Sequence, residues 1–347
     1  MGAPGSAISV RNLTVRYGDK HALRGASFDM PENKTTVLIG PSGCGKSTTL
    51  RCLNAMVHPD GGSVLYRGRE IGDYDPVELR RSMGYAIQSV GLIPHLTVEE
   101  NVCLVPRLLR WTSERQAVRS RELLELVNLD PGEYGPKYPH QLSGGEAQRV
   151  GVARALGADP PVLLMDEPFG AVDPLNREIL QDEFVRIQRR LRKTVVFVTH
   201  DLEEAVRLAD HLVVMRDGKV LQAAEPERVL AEPADQFVEK FLGPDRALKR
   251  LALFTADRFL RGISDSGDLR WHLDGAGRPL RGEFRRDGQI VIRTIDRSGH
   301  TVKPYSSLKE CLSRMLSLGM KAIPVLDEDG SMLGEVRYAD IEKISLQ

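Results

Sequence analysis

The sequence predicts an α/β fold on a mostly parallel sheet, joined to a smaller α+β region at its C-terminal end. Three observations predict it. Apolar, β-branched runs recur at residues 37–39, 162–166 and 194–199; unbroken runs of this kind suit strands buried on both faces of a helix-covered parallel sheet. The first run leads straight into a Gly-rich turn, Gly40-Pro41-Ser42-Gly43-Cys44-Gly45, and then into a helical stretch over residues 47–56. Past Gly243-Pro244, which marks a boundary after a helix around residues 237–241, strand–turn–strand patterns replace the long apolar runs.

The remaining elements fit between these. Residues 8–16 alternate in a way that suits an edge strand. Residues 98–128 are helical in pattern and interrupt the strand signals, so residues 90–155 are expected to form an inserted helical subdomain. The chain therefore reads as a first domain over 1–243 and a second over 244–347. The second holds a weak internal repeat. Leu273-Asp274-Gly275-Ala276-Gly277-Arg278-Pro279-Leu280-Arg281-Gly282-Glu283-Phe284-Arg285 lines up with Leu326-Asp327-Glu328-Asp329-Gly330-Ser331-Met332-Leu333-Gly334-Glu335-Val336-Arg337 if Arg281 is counted as one extra residue. Each copy reads as strand, Asp/Gly turn, strand. Before the second copy, Leu308, Cys311, Leu312, Met315 and Leu316 share one helical face, and Gly319 is placed to stop that helix. The first copy has no comparable helix.

Composition bounds the function. At 347 residues and 41% hydrophobic content the chain has material for two packed domains. Lys+Arg and Asp+Glu are equal at 48 each, and a neutral chain without a long basic run gives no support to nucleic-acid binding. The cysteines (Cys44, Cys52, Cys103, Cys311) form no Cys-x-x-Cys pair, so neither a zinc site nor a disulfide framework is implied, and a reducing compartment fits. No apolar run approaches the roughly 20 residues that a membrane span needs. The N-terminus lacks the basic and apolar regions of a signal peptide.

The Gly-rich turn continues into Lys46, Ser47 and Thr48 and matches a phosphate loop. Glycines let the backbone approach, successive N–H groups converge on an anion, and the helix start adds partial positive charge. Lys46 is expected to reach the β- and γ-phosphates, and Ser47 to offer its hydroxyl to Mg²⁺. Asp166 ends a buried strand, where a carboxylate is costly without a cation, and Mg²⁺ would supply one directly or through water. Between these two motifs stands Leu142-Ser143-Gly144-Gly145-Glu146.

Phosphate loop, Ser-Gly-Gly element and Asp-Glu strand end, in that order, resemble the ATP-binding subunits of ABC transporters. The resemblance implies a P-loop NTPase (RecA-like) domain that binds and hydrolyses ATP with Mg²⁺. It implies that Glu167 polarises the attacking water and that His200, in Val198-Thr199-His200-Asp201, grips the γ-phosphate. Gln88, in Tyr85-Ala86-Ile87-Gln88-Ser89, matches the loop that touches Mg²⁺ and senses the membrane partner. Asp173, in Gly170-Ala171-Val172-Asp173, matches a loop that crosses between subunits, and Tyr17 matches the aromatic residue that stacks on adenine. The Ser143, Gly144 and Gly145 element needs a partner: in the family, Ser143 and Gly145 contact ATP bound to the opposite subunit. One set of motifs per chain then implies a head-to-tail dimer of two copies. Glu146 departs from the commoner glutamine. Cys44 lies at a helix start, where thiol pKa tends to fall, so alkylation is expected to inactivate the protein and ATP to protect it.

Residues 8–242 look like the ATPase of a bacterial importer. Gly243-Pro244-Asp245-Arg246-Ala247-Leu248-Lys249-Arg250-Leu251 and the tail beyond it are similar to the ATPase subunits for quaternary-amine osmoprotectants (glycine betaine, carnitine, choline), which often end in paired CBS motifs. The second repeat copy, with its surroundings at about 302–347, resembles a CBS motif. The first is degenerate, and Arg337 stands where the CBS pattern usually has Thr, with Asp340 retained. Importers of amino acids or other small solutes, and non-transport ABC ATPases, are the alternatives. The family implies integral membrane permease subunits as direct partners, gripping near Gln88 and residues 90–101, a substrate-binding protein as an indirect one, and a peripheral position on the cytoplasmic face of the inner membrane. Three roles stand open for the tail: sensing ionic strength, binding a nucleotide, or reinforcing the dimer. Residues 244–347 carry 18 basic and 15 acidic side chains, and Arg278, Arg281, Arg285, Arg286, Arg293 and Arg297 cluster within them.

Overall fold

The computed structural model describes residues 5–87, 91–170, 172–266, 268–286, 289–296 and 298–346. They form two compact units, one of residues 1–229 with 233–241, the other of residues 230–232 with 242–347.

The first unit is organised by a six-stranded sheet. Its order is Lys219–Ala224, His211–Arg216, Thr35–Ile39, Thr194–Val198, Val162–Asp166, Met83–Ala86. Every neighbouring pair is parallel except the first, which is an antiparallel hairpin at one edge. Thr35–Ile39, Val162–Asp166 and Thr194–Val198 are buried at all five positions, as their unbroken apolar runs predict. Val37, Leu38, Ile39, Leu164, Val196 and Phe197 are wholly buried. Each such side chain stabilises the fold by about 1.5–3 kcal/mol relative to exposure. The strand before the Gly-rich turn is thus held rigidly from both sides.

A second, antiparallel sheet has the order Lys20–Pro31, Ser6–Tyr17, Gly61–Tyr66, Arg69–Glu70. Here the edge-strand expectation for residues 8–16 fails. Ser6–Tyr17 is paired on both sides, with Lys20–Pro31 and with Gly61–Tyr66. Alternation holds over residues 13–16, but Ala7, Ile8, Ser9 and Val10 are all buried, so both faces are covered there, and edge or centre is decided by a partner that lies far along the chain.

Between the parallel strands Met83–Ala86 and Val162–Asp166 the chain is mostly helical: Val98–Val102, Leu104–Leu108, Ser113–Leu126, Pro131–Tyr134 and Gly144–Leu156. The helical pattern over 98–128 breaks into three pieces. Cys103 ends the first, and Leu109 the second; Thr112 then caps the third by accepting from Arg115 N–H. Thr97 and Glu100 form a reciprocal capping box at the first piece.

The second unit contains a four-stranded antiparallel sheet, Asp265–Ser266, Leu269–Leu273, Pro279–Arg286, Gln289–Thr294, and a two-stranded one, Ala322–Leu326 with Met332–Arg337. The sequence repeat is a pair of like hairpins. In one turn Asp274 N–H donates to Arg278 O, Gly277 N–H to Asp274 O, and Arg278 N–H to Asp274 Oδ1. In the other, Asp327 N–H donates to Ser331 O, Gly330 N–H to Asp327 O, and Ser331 N–H to Asp327 Oδ1. The two turns also touch, through Met332 N–H to Gly277 O at 3.0 Å. Helix Leu308–Leu318 precedes the second hairpin; Ser307 caps its start, and Gly319, at φ 64°, ends it in the left-handed conformation. Glu335 is wholly buried. It accepts from Trp271 Nε1 (2.6 Å), Ser264 Oγ (2.9 Å) and Arg337 Nε (2.6 Å). Asp340 is paired with Arg261. Arg337 and Asp340 are therefore both committed to partners inside this unit. Of the arginine cluster, Arg297 lies outside the described residues.

Candidate functional site

The Gly-rich turn leaves the C-terminal end of Thr35–Ile39 and enters helix Lys46–Leu53. Two glycines are required by contact. A Cβ at Gly40 would lie 2.1 Å from Met215 O, and one at Gly45, where φ is 107°, would lie 2.6 Å from Leu23 Cδ2 and 2.7 Å from Ala22 O. The turn is wedged between the strand His211–Arg216 and the hairpin that carries Tyr17. Tyr17 itself is 52% exposed, at the turn of that hairpin, where Tyr17 pairs with Lys20. Gly40, Pro41, Ser42, Gly43, Cys44 and Gly45 make a bowl, with Lys46 reaching across it: its ammonium donates to Gly40 O at 2.7 Å and Pro41 O at 3.2 Å. Those carbonyls mark where the ammonium rests, within a loop whose N–H groups suit an anion. Thr48 follows Ser47 in the first turn of the helix.

Ser47 Oγ donates to Asp166 Oδ1 at 3.0 Å. Asp166 is 8% exposed, and its burial holds the carboxyl above the usual carboxylate range, with the Ser47 bond pulling the other way. A buried carboxylate beside a hydroxyl, at the mouth of an anion-binding loop, is a donor set that fits a divalent cation. Glu167 follows in the left-handed region at φ 46°, a conformation that costs energy in a non-glycine residue and that clusters at functional sites. Its N–H donates to Val198 O, tying it to the neighbouring strand. At that strand's end His200 Nδ1 meets Glu167 Oε2 at 3.1 Å. The structure thus brings together Lys46, Ser47, Asp166, Glu167 and His200.

Ser143, Gly144 and Gly145 are placed elsewhere. They open helix Gly144–Leu156, and Ser143 Oγ accepts from Glu146 N–H at 3.3 Å. Asp173 is exposed, just before helix Pro174–Leu191. Gln88 lies outside the described residues.

Comparison with known proteins follows this geometry. A family model described as ABC transporter matches residues 23–170, and one described as CBS domain matches residues 292–346. The osmoprotectant import ATP-binding protein OsmV of Salmonella typhimurium is 42% identical, over 95% of this chain and 94% of its own. The chain belongs to the ABC-transporter ATP-binding subunits of the osmoprotectant-import group. The choline transport ATP-binding protein OpuBA of Bacillus subtilis is 38% identical over 97% of this chain and 96% of its own. Among solved structures, the dimeric bacterial ABC transporter cassette MJ0796 is 34% identical, with a TM-score of 0.57, covering 63% of this chain and 98% of that one. ABC ATPase and CBS region, both read from motifs, are matched separately in the two units.

Two things in the ABC subunit depart from expectation or escaped it. Cys44 is buried and its thiol is pushed up by desolvation, only partly offset by Lys46, which runs against the lowered thiol pKa expected at a helix start. The helix start was outweighed by apolar packing: Cys44 is part of the core that includes Leu23 and Met215. Residues without a motif also stand beside those with one. Arg177 Nη2 donates to Val172 O at 2.9 Å and its other arm lies 3.8 Å from Asp201, the residue after His200. Tyr134 donates its hydroxyl to Glu146 Oε1 at 2.8 Å. Arg177 stands four residues past Asp173, and that spacing was the available signal; Tyr134 left none.

Proposed function

We propose that this chain hydrolyses ATP to drive import of a quaternary-amine osmoprotectant such as glycine betaine, carnitine or choline. The convergence of Ser47, Asp166, Glu167 and His200 at the Gly-rich loop carries the ATPase part. The cargo rests on relatives whose names specify osmoprotectant, choline and glycine betaine/carnitine/choline transport.

Backbone N–H groups of Gly40–Ser47, with Thr48, cradle the phosphates, and Lys46 swings from its loop carbonyls to the β- and γ-phosphates. Tyr17 stacks on adenine. Ser47, Asp166 and Gln88 would hold Mg²⁺, which would supply positive charge against the phosphates. Glu167 orients and deprotonates the attacking water, and His200 both fixes Glu167 and contacts the γ-phosphate. Ser143, Gly144 and Gly145 complete the site of a second copy, with Asp173 crossing beside them. Two copies enclose two ATP molecules and reopen after hydrolysis. Supporting this, Ser143 and Gly144 are exposed at the start of helix Gly144–Leu156, and the solved relative is dimeric.

Permease subunits engage the first domain, 1–243, beside Gln88 and residues 90–101. A cleft of about 350 Å³, lined by Met56, Tyr85, Ile87, Leu104 and Arg154 among others, lies between the sheet end and the helical insertion and suits such a partner. The chain then works peripherally on the cytoplasmic face of the membrane; no described helix is long and apolar enough to cross it. The second domain, 244–347, is regulatory.

The test is uptake of labelled glycine betaine and choline, with and without this gene, at low and high external salt. Uptake lost on deletion, restored by the wild type and not by Glu167→Gln, supports the proposal. Unchanged uptake in a strain lacking other such transporters removes the cargo assignment.

A further inference from the structure

Helix Gly144–Leu156 begins with a carboxylate where, on the dimer reading above, another subunit's ATP is gripped. Ser143 and Glu146 are locked together. The serine hydroxyl accepts from Glu146 N–H at 3.3 Å, and Glu146 Oε2 accepts from Ser143 N–H at 2.7 Å. The second carboxylate oxygen accepts from the Tyr134 hydroxyl at 2.8 Å. Lys137 lies over the Tyr134 ring, 3.9 Å from its centroid, but its ion pair is with Glu133 at 2.7 Å. The Ser143 N–H bond, with Tyr134 behind it, keeps Glu146 below the usual carboxylate range.

We propose that Glu146 sets how tightly the partner's ATP is held: its fixed negative charge beside Ser143 opposes the γ-phosphate and keeps the closed dimer easy to reopen. The inference rests on the ATP-sandwich reading. Physically, a helix start carries about half a positive charge, and one carboxylate more than offsets it. Two contacts pin the carboxylate, so it cannot swing away when phosphate arrives. Glutamine would keep both contacts, because its amide oxygen can accept from Ser143 N–H and its NH₂ can donate to the Tyr134 oxygen. Capping boxes take Glu or Gln alike. Glu146→Gln therefore removes the charge and leaves the geometry.

The experiment uses the full chain with Glu167→Gln to block hydrolysis, and follows ATP-dependent dimerisation by analytical ultracentrifugation. At low salt, Glu146→Gln is expected to lower the ATP concentration for half-dimerisation about tenfold. In high salt the advantage falls to about twofold, because the repulsion is screened. Glu146→Ala, which also loses the side-chain half of the capping box, shows the same salt-dependent gain. Tyr134→Phe keeps the charge and stays within about twofold of its parent. Equal ATP dependence with and without Glu146, a gain indifferent to salt, or a gain from Tyr134→Phe as large as that from Glu146→Gln each overturns the proposal. If neither parent nor variant dimerises with ATP, the sandwich reading itself is wrong and the inference goes with it.

Discussion

His200 Nδ1 stands 3.1 Å from Glu167 Oε2, bridging the ends of two strands that lie side by side. The strand pairing sets the separation, and the left-handed backbone at Glu167 aims its carboxylate. Glu167→Gln is expected to lower ATP turnover by about 10²–10⁴-fold, the usual contribution of a general base, while ATP binding survives. Steady-state hydrolysis and equilibrium binding of ATP to the purified chain check this. Turnover within tenfold of wild type would remove Glu167 from its role.

Asp166 is expected to trade stability for function. Burial raises its pKa, so the folded chain without nucleotide holds the proton more tightly than the unfolded chain does. Its stabilising contribution is complete below the unfolded carboxylate value of about 3.9 and is lost as pH rises through the raised folded value. Asp166→Asn, which cannot ionise, should therefore melt about 2–4 °C higher than wild type at neutral pH. The difference should shrink in acid, and Mg²⁺-dependent ATP hydrolysis should be abolished. A variant less stable than wild type at neutral pH would contradict the argument.

The thiols should be quiet. Cys44 is raised by burial, and desolvation pushes Cys52 and Cys311 up to about 12. A higher pKa leaves less thiolate at neutral pH, so iodoacetamide should label the native chain more than about tenfold slower than the denatured one. Mass spectrometry of the labelled peptides reads this directly. Labelling of Cys44 at the rate of a free thiol would restore the expectation from its sequence position.

Trp271 supports a buried carboxyl group in the second unit. Trp271→Phe keeps the ring but leaves Glu335 Oε2 with only a long contact, 3.4 Å from Ser264 N. The cost is about 1–3 kcal/mol. Amide exchange in Leu269–Leu273 and Met332–Arg337 should accelerate by about ten- to a hundredfold. Unchanged protection in both strands would show that the bond contributes little.

Much of this was legible because it is local. Thr35–Ile39 and Val162–Asp166 announce themselves by unbroken apolar runs, and the Gly-rich turn by its spacing. The Asp274 and Asp327 turns could be aligned before either was seen. What escaped depends on partners distant in the chain or on the surrounding packing. Ser6–Tyr17 is interior only because Gly61–Tyr66 returns to its open side. Cys44 is buried because a core closes over it. Tyr134 comes to this place through one hydroxyl that meets Glu146, twelve residues on.

The position of Thr35–Ile39 has a consequence for how the chain is made. Its two ladder neighbours are Thr194–Val198 and His211–Arg216, so both flanks come from far downstream. During synthesis the Gly-rich turn emerges early and then waits, with its supporting strand unpaired, until most of this lobe has left the ribosome. A chain cut short before residue 194 would carry every residue of the turn and neither of the strands that flank its supporting strand. Order along the chain thus runs opposite to order of assembly: the turn is made before the two strands that hold its supporting strand in place.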